Sequence, residues 1–493
     1  MKEKTTSHLG SIWKLFSHSY LLENNIKTSP YLCTGNNPDE RFCCEKGKSI
    51  DAPLALAKSC GPFYEQTMKN ISASDWNRFW KDKGVTYAWM TKEKMKDHRE
   101  VPVSEILSVL DTMKSFPAHK ELLHDLAGVW LRGTLQDSFP ALGLAWFSKT
   151  WTWGSEKKKK FIGGVAGWSR SGESFWVKGQ GTSRELILSV GKEISEKLPN
   201  SGLSGTKVKV NFFTRYPIAS VTRLPSGEKV SSGNLSGSYR VHFSSGTTVD
   251  IQSSGELTLI NQKITGVFDR DDYVARVLER EGTAHDGEAS RALAILIRTY
   301  LVDHARTADG IFEIDDTSSL QRVSATPPTP LALKTAEFSA GLILEGKTNG
   351  HNGKIWKEMK AQASRGKNFL AILRSMAPKT KLSYLRDGRS SSCDRLANVE
   401  NYLRRSVTKW HRELVRYPGY EEVSKVEVCK MNYPKPYSDL KANRIYLHFD
   451  DSEESRTTLA HEYLHLSFKN HPNTTDEQFI ETLARKISGV KYE

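Results

Sequence analysis

A chain of 493 residues is long enough for about three domains at roughly 150 residues each. Its 38% hydrophobic and 10% aromatic content excludes a mainly disordered polymer, and no apolar run approaches the ~20 residues that a membrane-spanning helix needs. Lysine and arginine number 71 against 57 acids, a formal charge of +14, which favours anionic polymers without choosing among nucleic acid, acidic lipid and cell wall. No nucleic-acid reading motif accompanies that charge and the basic residues are spread along the chain, so nucleic acid is not the expected partner.

Cys33, Cys43, Cys44 and Cys60 cluster early, and Cys393 and Cys429 stand far downstream. No pair has CxxC spacing, so the expectation is disulfides within each cluster and an oxidising compartment, with reduced buried thiols as the alternative. The first residues, MKEKTTSHLGSIWKLF, contain no basic-then-apolar export segment. Either export information is missing from these residues or the expected compartment is wrong.

Taken in order, residues 1 to about 195 mix helical runs at Val103 to Met113 and Glu121 to Leu131 with glycine-rich strand signals between Phe161 and Val177, an α+β texture. The tract Lys157 to Lys160 reads as a solvated hairpin tip. From about Thr206 to Phe268 short alternating runs separated by Gly, Ser and Asn turns predict a meandering antiparallel sheet. Asp271 to Ala305 carries apolar residues at helical spacing, broken by Gly282 and Gly287 into two helices, and Ser324 to Pro330 is a proline-rich loop. Leu396, Val399, Leu403, Val407, Trp410 and Leu414 describe one amphipathic helix opening a last, mainly helical domain. The expected architecture is multidomain α+β, divided at residues 1–200, 205–388 and 390–493.

The sharpest motif is TTLAHEYLHLSF, where His461 and His465 lie four apart and so share one helix face. Two imidazoles in that arrangement supply two of three protein ligands to a zinc ion, and Glu462 takes the proton of the attacking water. The alternative is a helix with two ordinary core histidines. His471 has the spacing of a third ligand, but Phe468 stands where the extended motif needs a glycine to turn the chain. Downstream, NTTDEQFIETLARKI predicts a second helix with Thr474 as N-cap and Glu477 closing a capping box, which leaves Glu481 a turn further on as the expected third ligand. These fifty residues resemble the gluzincin metallopeptidases, and the preceding RIYLHF resembles their substrate-aligning edge strand.

In the middle region, Tyr273, Val277, Glu281, Ala289, Ala292, Arg298, Thr299 and Tyr300 resemble the signature of the stage II sporulation protein D and amidase-enhancer family. The resemblance extends over roughly residues 205 to 385 and implies lytic transglycosylase chemistry on peptidoglycan, with Glu281 as the catalytic acid and Arg298 among the substrate contacts. One carboxylic acid with a raised pKa suffices for that reaction. Gly282 and Leu293 depart from the family's usual methionine and glutamine. The alternative for Glu281 is a solvated ion-pair network with its charged neighbours.

Near the start, Ser11 and Lys14 form an SxxK motif, which puts an amine one helical turn from a hydroxyl it can deprotonate. ALAKSCGPFY and SKTWTW follow and resemble, in order, the SxN segment and KTG strand of penicillin-binding transpeptidases. The resemblance makes Ser11 the nucleophile, Lys14 its base, Ser59 a proton relay, and Lys149 with Thr150 the binders of a substrate carboxylate. Gly61 and Trp151 replace the motif's asparagine and glycine, and a tryptophan on that strand blocks the substrate's backbone. This region is therefore expected to be an inactive transpeptidase-like fold, short of its first strands.

The order of the three segments resembles the YfaQ-type proteins of Gram-negative bacteria. The expectation from residues and resemblance together is a periplasmic hydrolase acting on peptidoglycan or wall-associated protein, with Zn2+ as cofactor. The competing expectation is a non-catalytic wall-binding scaffold made of degenerate enzyme folds.

Overall fold

A computed structural model describes residues 5–96, 100–155, 160–198, 207–308, 311–318, 320–346, 353–385, 395–431, 436–440 and 442–489. Cys393 and most of the Lys157 to Lys160 tract lie outside the described residues. The protein is a multidomain assembly of α and β elements.

In the first region the helix Trp13–Glu23 is buried on every side from Trp13 to Leu21, and its buried polar groups are paired, Lys14 with Ser59 O, Ser17 with Trp13 O and His18 with Asp125. It packs on the helices Ala52–Ala57, Gly61–Lys69 and His119–Leu131, and the turn Gly10–Ile12 before it meets a three-stranded antiparallel sheet formed by Trp146–Ser155, Lys160–Ser169 and Ser174–Gln180. The helix Ser183–Lys197 packs on this sheet, its start fixed by a capping box between Thr182 and Glu185. Disulfides Cys33–Cys44 and Cys43–Cys60 staple the early loops, and Cys429 is disulfide-bonded as well.

The middle region contains the expected meander, Lys207–Phe212 through Lys263–Asp269, within an eight-stranded sheet. One strand was not legible in the alternation. Ile311–Asp315 returns after the two helices Arg270–Glu281 and Gly287–His304 and lies parallel to Lys207–Phe212, with Phe312 opposite Val208. The helix Gly287–His304 is buried along most of its length and forms the centre of this region.

The sequence division at about residue 200 separates two sheets but not two cores. One continuous apolar core runs from Leu9 to Leu385, crossed by ring contacts such as Phe139–Phe369 and Phe147–Tyr384. The last region has its own core, from Val399 to Ala484. A small third cluster, with Leu320 packed against Cys429, Met431, Tyr437 and Tyr446, joins the middle region to it.

Two expectations for the last region are corrected. The strand within RIYLHF, Arg444–Leu447, is central, hydrogen-bonded to Glu427–Lys430 on one side and Tyr437–Asp439 on the other, so its backbone has no edge to offer a substrate. Tyr437–Asp439 is the edge strand. The second helix starts at Glu477, capped by the Asp476 carboxylate accepting from Phe479 N at 3.0 Å, and not at Thr474. Thr474 is committed elsewhere: its hydroxyl donates to His465 O, and its carbonyl lies 2.8 Å from His465 Nδ1.

Candidate functional site

The helix Glu453–Ser467 begins with Ser452 accepting from Ser455 N and has Glu453 and Glu454 in its first turn, which suits the positive end of the helix dipole. Leu459, Ala460, Tyr463 and Leu464 anchor its buried face. The opposite face carries His461 and His465, with side chains 18% and 15% exposed, so both remain reachable.

Their Nε2 atoms stand 3.1 Å apart. Glu477 joins them from the next helix, one oxygen 3.3 Å from His461 Nε2 and the other 3.7 Å from His465 Nε2. Each imidazole is backed at Nδ1, His461 by Glu481 at 3.0 Å and His465 by the carbonyl of Thr474 at 2.8 Å. Glu481, expected as the third ligand, is thus on the far side of the His461 ring, and Glu477 occupies the near side. The reason is the helix start: beginning at Glu477 turns that carboxylate towards the histidines and moves Glu481 one turn behind. His471 is the cap of the turn Pro472–Thr475 and accepts from Asn473 N.

Donors bound to a tetrahedral zinc at ~2.05 Å stand about 3.3 Å apart. The separations among His461, His465 and Glu477 match that spacing within a few tenths of an ångström, so these three residues are able to hold such an ion.

Electrostatics divide the carboxylates by task. Burial pushes the Glu462 carboxyl up to about 7, partly offset by the Ser438 hydroxyl and by His461; Ser438 Oγ lies 2.8 Å from Glu462 Oε2. Glu481 is held below the usual range, because hydrogen bonds from Arg485 and His461 outweigh its partial burial. Burial lowers His465, with His461 adding to the shift. Ser438 has no motif to announce it: it lies on the edge strand 24 residues before Glu462.

The N-terminal residues also come together. Lys14 Nζ is 3.4 Å from both Ser11 Oγ and Ser59 Oγ, and donates to Ser59 O at 2.6 Å. Ser59 adopts φ +59°, a strained conformation, in a loop whose carbonyl meets the amine. Burial pushes Lys14 down to about 8. Lys149 and Thr150 do not fit their expected role as carboxylate binders. Lys149 is wholly buried and its amine turns to Thr150 O at 2.9 Å, while the Thr150 hydroxyl pairs with Thr134 Oγ1 at 2.7 Å. Burial drives the Lys149 amine far below its ordinary value, with Lys14 adding to the effect. Trp151 is 1% exposed, stacks on Trp176 at 5.0 Å, and fills the space between its strand and Gly10, just before Ser11.

Glu281 is half-buried at the end of the helix Arg270–Glu281 and accepts from Arg322 N at 2.8 Å. Its two unusual neighbours compensate each other, since a Cβ at Gly282 would come within 2.5 Å of Leu293 Cδ2. Arg298, expected to touch substrate, is fully buried; it bonds to the carbonyls of Ser339, Leu342 and Ala336 and to Asp271 Oδ1 at 2.7 Å. It organises the loop after the helix Pro330–Phe338 and cannot reach a ligand.

Among the described residues no helix is long and apolar enough to cross a membrane. Residues 353–473 match a family profile described as a predicted secreted protein, DUF2300; the match takes in the helix bearing His461 and His465. Among solved structures, class D β-lactamases from Sebaldella termitidis ATCC 33386 and Bacillus subtilis align over 39% of this chain and 79% and 81% of theirs, at 13% and 11% identity. Their TM-scores of 0.28 and 0.29 are too low to bear on the fold. The uncharacterized protein YfaQ of Escherichia coli (strain K12) is 33% identical over 502 residues, spanning 99% of this chain and 90% of its own. By that near-complete alignment, the chain belongs to the YfaQ family.

Proposed function

We propose that this protein is a periplasmic, cell-wall-associated hydrolase whose chemistry resides in a zinc centre formed by His461, His465 and Glu477. The observation that carries the reading is the convergence of two Nε2 atoms and one carboxylate at tetrahedral spacing, with both Nδ1 atoms held from behind. Such outer partners fix the tautomer and orientation of metal-binding histidines. When bound, zinc polarises a carbonyl and acidifies water.

The chain's own residues do the rest. Glu462, held near neutrality by burial, is matched to accept a proton from water at physiological pH and pass it to a leaving amine. Ser438 holds one oxygen of that carboxylate in place. A peptide stem or wall-associated protein is the proposed substrate, and the +14 charge concentrates the protein on anionic wall. Glu281 is proposed as a second, glycan-cleaving acid.

The scaffold reading is favoured by one observation, the burial of Trp151 where a substrate would pass Ser11, and applies to the N-terminal region. The test is zinc content after dialysis, together with release of soluble fragments from purified peptidoglycan and of peptides from wall protein. Near-stoichiometric zinc, and cleavage abolished by Glu462→Gln with zinc retained, are expected. Absence of zinc after reloading overturns the reading.

A further inference from the structure

A cavity of about 680 Å³ lies away from the metal centre and the Ser11–Lys14 cluster, between the helix His119–Leu131 with its cap Arg132 and the helix Phe369–Met376 with the strand Lys381–Tyr384. Its volume is that of a site for a small organic molecule. The acids around it are already engaged. Asp125, 2% exposed, accepts from His18 at 2.8 Å and contacts His124 Nδ1 at 3.2 Å; Asp51 caps a helix by accepting from Leu54 N; Glu345 stands directly across the strand pair from Lys381.

Three cations of the lining, Arg132, Arg374 and Lys381, have no side-chain ion pair or hydrogen bond among the described residues. Arg132 and Arg374 line the cavity one from each side. The buried Nε of half-buried Arg132 lacks an acceptor, which is costly, and an anion reaching it and the exposed Arg374 head would supply paired, charge-assisted hydrogen bonds. Beside these heads the wall is apolar, with Leu131, Phe139, Leu370 and Leu373.

We propose that this cavity binds an organic anion whose carboxylate or phosphate head is held by Arg132 and Arg374 and whose apolar body lies on Leu131, Phe139, Leu370 and Leu373. The site is independent of the metal centre, and its ligand lies between the helix His119–Leu131 and the helix Phe369–Met376 with the strand Lys381–Tyr384.

The test is calorimetric titration of the full chain with N-octanoylglycine, octyl phosphate and the neutral N-octanoylglycinamide. At least one anion is expected to bind about tenfold or more tighter than the amide, and Arg132→Gln and Arg374→Gln are each expected to weaken it about tenfold. Arg374 is exposed, so its substitution leaves folding intact. Preference for the glycine derivative identifies a carboxylate ligand and preference for octyl phosphate a phosphate. Equal affinity for the amide, unchanged affinity in Arg374→Gln, or no binding of any probe overturns the proposal.

Discussion

The C-terminal His–Glu cluster and the N-terminal Ser–Lys cluster are assembled alike, from two groups three or four residues apart, on the helix Glu453–Ser467 in one case and across the turn Gly10–Ile12 and the helix Trp13–Glu23 in the other, with a third element closing on them. They differ in what stands in front. At the histidines the Glu481 carboxylate and the Thr474 carbonyl approach from behind, and both rings keep an accessible side. Beside Ser11, Trp151 packs against Gly10, and Lys149 is buried and turned to its own strand. Bringing catalytic residue types together is therefore not enough. The space that a substrate would occupy must also be kept open.

The metal centre gives the largest expected effects. His461→Ala and His465→Ala are expected to abolish stoichiometric zinc, and Glu477→Gln to remove most of it. Glu481→Gln, which changes only the backing of His461, is expected to weaken zinc by about 10- to 100-fold. Metal analysis of dialysed protein and competition with a chelator measure both. Equal losses in Glu477→Gln and Glu481→Gln would break the distinction between front and back.

The N-terminal site comes next. Trp151→Gly is expected to destabilise the protein by about 3–5 kcal/mol, the range for emptying the site of a large buried aromatic, as read from urea midpoints. A fluorescent penicillin is expected to leave the parent unlabelled at Ser11. Labelling of the parent would show that Trp151 does not close the groove.

The two sites also predict opposite pH slopes. Lys14 titrates at about 8 in the folded chain against 10.5 unfolded, so between those values the unfolded chain binds the extra proton and stability rises with pH, by up to about 3 kcal/mol. Glu462 titrates at about 7 folded against 4.5 unfolded. There the folded chain binds the extra proton, and stability of zinc-free protein falls across that window by up to about 3 kcal/mol. Denaturation of chelated protein across pH, with Lys14→Met and Glu462→Gln each flattening its own slope, checks the pair. The smallest effect belongs to Ser438→Ala, expected to cost about 1 kcal/mol for one hydrogen bond and to leave Glu462 with an even higher pKa.

Local spacing alone determined a good deal of this protein. The helices Val103–Met113 and Ala397–Leu414, the break between Glu281 and Gly287, the antiparallel meander, and the four-residue spacing that puts His461 and His465 on one face follow from period and turn chemistry, which act over a few residues. Tertiary structure decided whatever depends on which element comes alongside another. It made Arg444–Leu447 a central strand, placed Ile311–Asp315 parallel to a strand a hundred residues earlier, and fused the cores of the first two regions. It also made Asp476 the helix cap that brings Glu477 forward and Glu481 behind, and buried Arg298 and Lys149 that motif alignment placed at a substrate. Burial, desolvation and the direction of approach are properties of the packed whole, and a local window of sequence does not contain them.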